Sequence, residues 1–166
     1  KKAIGLEPER AGYYIALSKV LYEKNQGEKA TQVLQKAVAL SSSDPTAHLQ
    51  LGTAFLDQGH LEDALAEYHQ AAALAPKQAT YHRHVGSVLC KMARYRQAIK
   101  SLQEATALDP SDADTLHMLG RVHELLGADA DAMSAYEKAV ALEPKDAVHY
   151  RDAGLLSLKL GEHATA

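Results

Sequence analysis

The stretch YEKAVALEP (136–144) has counterparts at regular intervals along the chain. LQEATALDP (102–110) lies 34 residues upstream, YHQAAALAP (68–76) a further 34, and LQKAVALSS (34–42) 34 more, while KAIGLEP (2–8) reads as the tail of another copy. With Ala11 as position 1 of a 34-residue frame, position 20 is Ala30, Ala64, Ala98, Ala132 and Ala166. Position 27 is Ala3, Ala37, Ala71, Ala105 and Ala139, and position 30 is Leu6, Leu40, Leu74, Leu108 and Leu142. Self-similarity at a fixed period of this length is the mark of a repeat architecture.

The columns have a helical logic. Positions 4, 7, 8 and 11 follow the i, i+3, i+4, i+7 spacing of one helix face, as His48, Leu51, Gly52 and Phe55 do. Positions 20, 24 and 27 mark a second face, as in Ala64, Tyr68 and Ala71. A break separates the two, at Gly59, Gly127 and Gly161 in position 15. Proline ends the second helix at Pro8, Pro76, Pro110 and Pro144, because it lacks an N–H and disfavours α conformation in the residue before it. Asp44, Asp112 and Asp146 stand where an N-cap belongs, and Pro45 takes the first helical position after Asp44. Each unit therefore reads as helix–turn–helix. Ala139, Leu142 and Pro144 read as packing and punctuation.

Local departures carry their own expectations. Asn25 holds position 15 of the first copy, with Gly27 two residues on, so its inner turn is expected to be reshaped. Ser41-Ser42-Ser43 replaces the Leu-x-Pro exit, which marks 41–44 as the softest joint. Ala93 stands for Gly in the third copy.

The pattern of small and large residues at positions 4, 7, 8, 11, 20, 24, 27 and 32 resembles the tetratricopeptide repeat over the whole chain. The resemblance implies an all-α fold, a right-handed superhelical array of antiparallel helix pairs (an α-solenoid). The expected organisation is one array over 1–166, with full copies at 11–44, 45–78, 79–112 and 113–146 and partial ones at 1–10 and 147–166. Both ends fall inside the helical frame without a polar capping helix, which points to a segment of a longer array or to ends that stack on another copy.

Composition excludes several functions. Net charge is −3, and the charge alternates from copy to copy (+1, −3, +2 and −4 for the full copies), so no basic groove for nucleic acid is expected. No apolar run reaches the length of a membrane span. The single cysteine, Cys90, cannot form an internal disulfide, which fits a reducing compartment, and a cytoplasmic location is expected. The nine histidines scatter over the frame rather than converge. His82 and His84 project roughly 200° apart on a helix. His123-Glu124-Leu125-Leu126-Gly127 fails the zinc-protease pattern, which needs a second His where Gly127 stands. Neither a metal, a cofactor nor a catalytic residue is expected, and the chain reads as non-enzymatic.

In the family, the first helix of each pair lines a concave side that holds peptides through positions 2, 5, 6, 9, 12 and 13. Here position 5 gives Ile15, Leu49, Arg83, His117 and Arg151, and position 9 gives Lys19, Thr53, Ser87, Arg121 and Leu155. Position 12 adds Tyr22, Leu56 and Cys90, and position 13 adds Lys91. The expected groove is apolar in its first copies and basic from the third onward. Its partner is then a protein or peptide with an apolar stretch followed by acidic residues, held by Arg83, Arg121 and Arg151 as bidentate donors. The family's carboxylate clamp for chaperone tails needs Lys at 5 and Asn at 9, which Ile15/Lys19, Leu49/Thr53 and Arg83/Ser87 do not supply. Position 6 reads Ala16, Gln50, His84, Met118 and Asp152, so the family's asparagine ladder is missing as well. The expected function is an interaction scaffold. The alternatives are a docking or regulatory region of a larger enzyme, or a self-assembly module stacking through its ends.

If positions 20 and 27 are helix contacts, overpacking them costs about 1–3 kcal/mol. Ala98→Leu and Ala132→Leu therefore lower the melting temperature, whereas Lys100→Gln leaves it unchanged. Equal melting temperatures for both kinds of variant contradict the frame.

Overall fold

The computed structural model describes residues 11–164, which form nine helices and no strand. In chain order these are α1 (Ala11–Glu23), α2 (Gly27–Leu40), α3 (Pro45–Asp57), α4 (Leu61–Leu74), α5 (Ala79–Lys91), α6 (Tyr95–Leu108), α7 (Ala113–Leu125), α8 (Asp129–Leu142) and α9 (Ala147–Ala164). The tail copy at 1–10 and the column members Ala3, Leu6, Pro8 and Ala166 lie outside the described residues. The chain divides into two compact units between Tyr81 and His82, inside α5. No helix among the described residues is long and apolar enough to cross a membrane.

Within each unit the core lies between helices rather than at a single centre. In the first unit α1 packs on α2 and α3 on α4, and α2 also packs on α3. Leu34, Leu51 and Ala54 are buried together there, with Ile15, Tyr22, Val38 and Phe55 packed around them. In the second unit α7 packs on α8, α6 on α7 and α8 on α9. Tyr136, Ala132 and Leu156 form one of its buried clusters. The alanines of positions 20 and 27 bear out their reading as contacts: Ala30, Ala37, Ala64, Ala71, Ala98, Ala132 and Ala139 are all fully buried.

Position 8 shows why it must be small. A Cβ on Gly52 would lie 2.7 Å from the Tyr68 ring, one on Gly86 2.7 Å from Leu102, and one on Gly120 2.6 Å from the Tyr136 ring. The bare backbone of the first helix is the seat for the position-24 side chain of the second.

The inner turns are uniform. Gly59 and Gly127 have φ of 78° and 74°, and Asn25 and Ala93 have 54° and 56°. Each turn closes with the same pair of backbone bonds, in the first copy Asn25 N–H to the Tyr22 carbonyl and Gln26 N–H to the Leu21 carbonyl. The same closure recurs at His60, Arg94 and Ala128, whose N–H groups reach Phe55, Leu89 and His123. This is the left-handed helix-terminating turn. The expected reshaping of the first turn is thus overturned, since Asn tolerates the left-handed region. Gly161 is a second correction: α9 continues through it to Ala164. Glycine permits the left-handed conformation without imposing it, and the helical hydrogen-bond ladder persists.

Asp44, Asp112 and Asp146 do cap the next helices, accepting from the backbone N–H groups of Thr46, Thr115 and Val148 at 2.9, 3.1 and 2.7 Å. The 41–44 joint is tied down by His48, whose Nε2 is 3.0 Å from the Ser42 carbonyl while its Nδ1 meets Glu67 at 2.7 Å. Leu40, Leu74, Leu108 and Leu142 are 40–43% exposed, so the reading of Leu142 as a packing residue is corrected. Position 30 closes each second helix and is rotated about 60° from position 27, on the flank of the buried face.

Ala93 pays for its left-handed backbone with a Cβ clash, a strain on the order of 1–2 kcal/mol that glycine avoids. Ala93→Gly raises the unfolding free energy by about 1 kcal/mol, and Gly127→Ala lowers it by a similar amount. Chemical denaturation of the two variants checks the opposite signs.

Candidate functional site

The residues expected to face a partner sit on the first helix of each pair, and the two units treat them differently. In the first unit Lys19 is exposed on α1, while Ile15, Tyr22, Leu49, Thr53 and Leu56 are half-buried. Ile15 and Tyr22 lean on the Leu34–Leu51–Ala54 core. Leu49 packs against Ala71, Ala72 and Tyr81. Thr53 donates its hydroxyl to the Leu49 carbonyl at 2.9 Å, so the Tyr68 hydroxyl, 3.1 Å away, is the donor to Thr53. Burial raises the Tyr68 phenol above its usual range, and Thr53 partly offsets this. Among these residues Lys19 carries the one charge, while Glu23 and Asp57 hold position 13 beside them.

The second unit carries the charge. Arg83 on α5 is half-buried and lies 3.4 Å from Asp112 and 3.8 Å from Asp114. His117 on α7 meets the Asp152 carboxylate at 2.9 Å, and Arg151 donates to the other oxygen of the same carboxylate at 2.7 Å. Of the three arginines expected to hold a partner's acid, two are therefore engaged by the chain's own carboxylates. Arg121 is exposed and has no ion pair among the described residues. Ser87 is half-buried and Lys91 exposed.

Arg121 and Arg151 meet at a pocket of about 300 Å³, completed by Glu124, Tyr136, Asp152 and Leu155. Tyr136, itself fully buried, donates its hydroxyl to Glu124 at 2.8 Å. Burial first, then that hydrogen bond, push its phenol far above the usual range, so it is a fixed neutral donor. The Arg151 hydrogen bond holds the Asp152 carboxyl below the usual carboxylate range against the opposing effect of burial, and His117 helps. Nearby, burial raises the Cys90 thiol and Arg121 offsets this only in part, so no activated thiolate is present. The arrangement offers a guanidinium, an apolar wall at Leu155, and carboxylates held by Tyr136, Arg151 and His117.

Glu124, Tyr136 and Asp152 did not figure among the expected site residues. Glu124 shares position 12 with Tyr22, Leu56 and Cys90, so its column already pointed to it. Tyr136 belongs to the packing column 24, which hides the reach of its hydroxyl.

Sequence models of the tetratricopeptide repeat match residues 18–59, 45–78 and 86–147. The chain belongs to the tetratricopeptide repeat family. Its all-α helix-pair fold is of the α-solenoid class, which typically serves as a non-catalytic module for binding proteins. No curated protein sequence matches the chain. Among solved structures it is similar to MamA, at 26% identity and a TM-score of 0.82, covering 87% of this chain and 84% of that one. PilF from Pseudomonas aeruginosa is similar at 26% identity and a TM-score of 0.81, over 93% of this repeat chain and 70% of PilF. YrrB, a TPR protein with an unusual peptide-binding site, shares the fold at 24% identity and a TM-score of 0.80, covering 96% of this chain and 82% of YrrB.

Asp152 has a lowered pKa in the folded state. Its contribution to stability is complete above the unfolded value of about 3.9 and is lost as pH falls through the folded value. Arg151 is 62% exposed, so solvent screens its pair with Asp152 and the effect is small. Asp152→Asn lowers the melting temperature slightly at pH 7, and the gap to the parent closes below about pH 4. A gap that persists at low pH shows that Asp152 acts otherwise than by charge.

Proposed function

We propose that this tetratricopeptide repeat chain is a scaffold that holds an extended peptide on the faces of its first helices, with one peptide carboxylate received by Arg121. The carrying observation is that Arg121 is the exposed cation on the pocket rim without an ion pair among the described residues. Arg83 and Arg151 position the face, because Asp112, Asp114 and Asp152 already occupy them. Leu155, 58% exposed, supplies an apolar contact next to the guanidinium. Glu124 in the same pocket disfavours a run of acids. The ligand is therefore an apolar residue beside a single Asp or Glu, not a polyacidic tract. In the first unit, Leu49 and Leu56 suit an apolar segment, with Lys19, Glu23 and Asp57 as the charges around them.

A charge-assisted hydrogen bond contributes about 1.5–3 kcal/mol, so its loss weakens binding roughly 10- to 100-fold. Fluorescence anisotropy against a panel of apolar–acidic peptides at low salt selects a ligand; Arg121→Glu then weakens it at least tenfold with an unchanged melting temperature. Arg83→Glu instead lowers the melting temperature. Unchanged affinity of Arg121→Glu at low ionic strength, where such contacts are strongest, defeats the assignment.

A further inference from the structure

We propose that the joint between α8 and α9 is a binding site for a divalent transition-metal ion of the zinc type, with Glu143, Asp146 and His149 as ligands. A carboxylate oxygen from each acid and one imidazole nitrogen of His149 all lie within 4.8 Å of one another. The site is independent of peptide binding. It also revises the expectation drawn from the histidines, which do not converge on each other; here a single histidine converges with acids.

The imidazole is what sets this cluster apart from a surface group of acids. His149 is 2% exposed, and its Nδ1 is buried without a hydrogen-bond partner. A buried polar nitrogen left alone is rare and calls for a bound species. The other nitrogen, Nε2, faces Asp114 at 3.9 Å, and the ring lies 4.8 Å from that of His117. The 3.9 Å to Asp114 is beyond a hydrogen bond, and the neutral tautomer with its proton on Nε2 leaves the Nδ1 lone pair free for an ion. Nδ1 is the ring nitrogen nearer the backbone, and the His149 backbone N–H itself bonds Asp146 Oδ1 at 3.3 Å. Helix capping thus anchors the His149 backbone to the Asp146 carboxylate, and the ring shares the 4.8 Å cluster with it.

Asp146 has a free oxygen to match. Oδ1 accepts both helix-capping N–H groups, from Val148 at 2.7 Å and His149 at 3.3 Å, and Oδ2 accepts no bond among the described residues. The preceding joint shows the difference. There Asp112 Oδ1 caps Thr115 N–H at 3.1 Å, and Oδ2 accepts the Thr115 hydroxyl at 2.7 Å. His149 stands where Thr115 stands in that copy, so one cap is complete in itself and the other is left with an unused oxygen beside an unused nitrogen. Glu143 is exposed on an open depression shared with Pro144, Lys145 and Asp146, which gives an ion its route in.

Zinc bonds of about 2.0–2.2 Å place tetrahedral ligand atoms about 3.4 Å apart. The flexible Glu143 side chain closes the remaining distance. One imidazole and two carboxylates suit zinc, cobalt or nickel, whereas magnesium prefers oxygen alone. Three protein ligands leave the fourth position to water.

Calorimetric titration of zinc chloride into the purified chain, with cobalt absorption as a second readout, tests the site. One saturable site is expected, with a visible cobalt band of tetrahedral intensity. Glu143→Gln and Asp146→Asn each weaken zinc at least tenfold while keeping the fold, since Asn caps a helix as well as Asp does. No saturable binding by the parent overturns the proposal. So does an affinity unchanged in the Glu143→Gln/Asp146→Asn double variant, which places the zinc on surface histidines elsewhere.

Discussion

Three of the helix pairs depend on one close approach, a large position-24 side chain seated on a stretch of backbone that has no Cβ. Tyr68 sits on Gly52 and Tyr136 on Gly120, and a methyl group at either glycine would lie within 3 Å of the ring. The consequence runs beyond packing. A tyrosine buried by this contact carries its hydroxyl through to the far edge of the first helix, where it reaches Thr53 in one copy and Glu124 in another. A hydroxyl inside an apolar interior must find a partner, and the repeat geometry puts that partner at positions 9 and 12. The core thereby tethers residues on the face of the first helices. In the third copy Leu102 takes the same seat on Gly86, and no such tether is made.

Charge is spent in the same way on the second unit. Arg83 with Asp112 and Asp114, and Asp152 with both His117 and Arg151, link successive first helices to one another. Asp114 and Arg151 are largely exposed, so the pairs they make contribute little to stability one by one. Their effect is on geometry, since each side chain with a fixed partner has fewer orientations left. Arg121, left out of these pairings, keeps its full capacity for an external acid. Two of the three arginines on this face thus already meet a carboxylate of the chain, while the buried Arg83 Nε makes no hydrogen bond.

The sequence carried the fold almost completely and the site in part. Spacing identifies a face because helix geometry is fixed, and the alanine columns at 20 and 27, buried without exception where described, had no other reading. Turn chemistry was harder. Asn25 and Ala93 take the same left-handed conformation as Gly59 and Gly127, because the turn's hydrogen bonds outweigh the strain of a single residue. At Gly161 the reverse holds, and a permissive residue stays helical. The first-helix face was legible as a set of positions, yet Arg83 and Arg151 looked free because their acids, Asp112 and Asp152, lie at the far end of the same copy or on the adjacent residue. No periodicity reports which charges find each other.

The slot three residues after each N-cap position shows how a repeat separates scaffold from chemistry. It holds Ala47, Tyr81, Thr115 and His149, and all four are buried. Ala47 fills space. Tyr81 adds its ring to the Ala71–Ala72 cluster. Thr115 gives its hydroxyl to the capping Asp112 and completes that cap. His149 fills the same volume with a group whose lone pair has no partner in the chain. The backbone is the same in each case, so the scaffold tolerates all four at similar cost, and what the slot does is set by whether the side chain's polar atoms are satisfied from within. Only where they are not does a copy acquire a chemistry of its own.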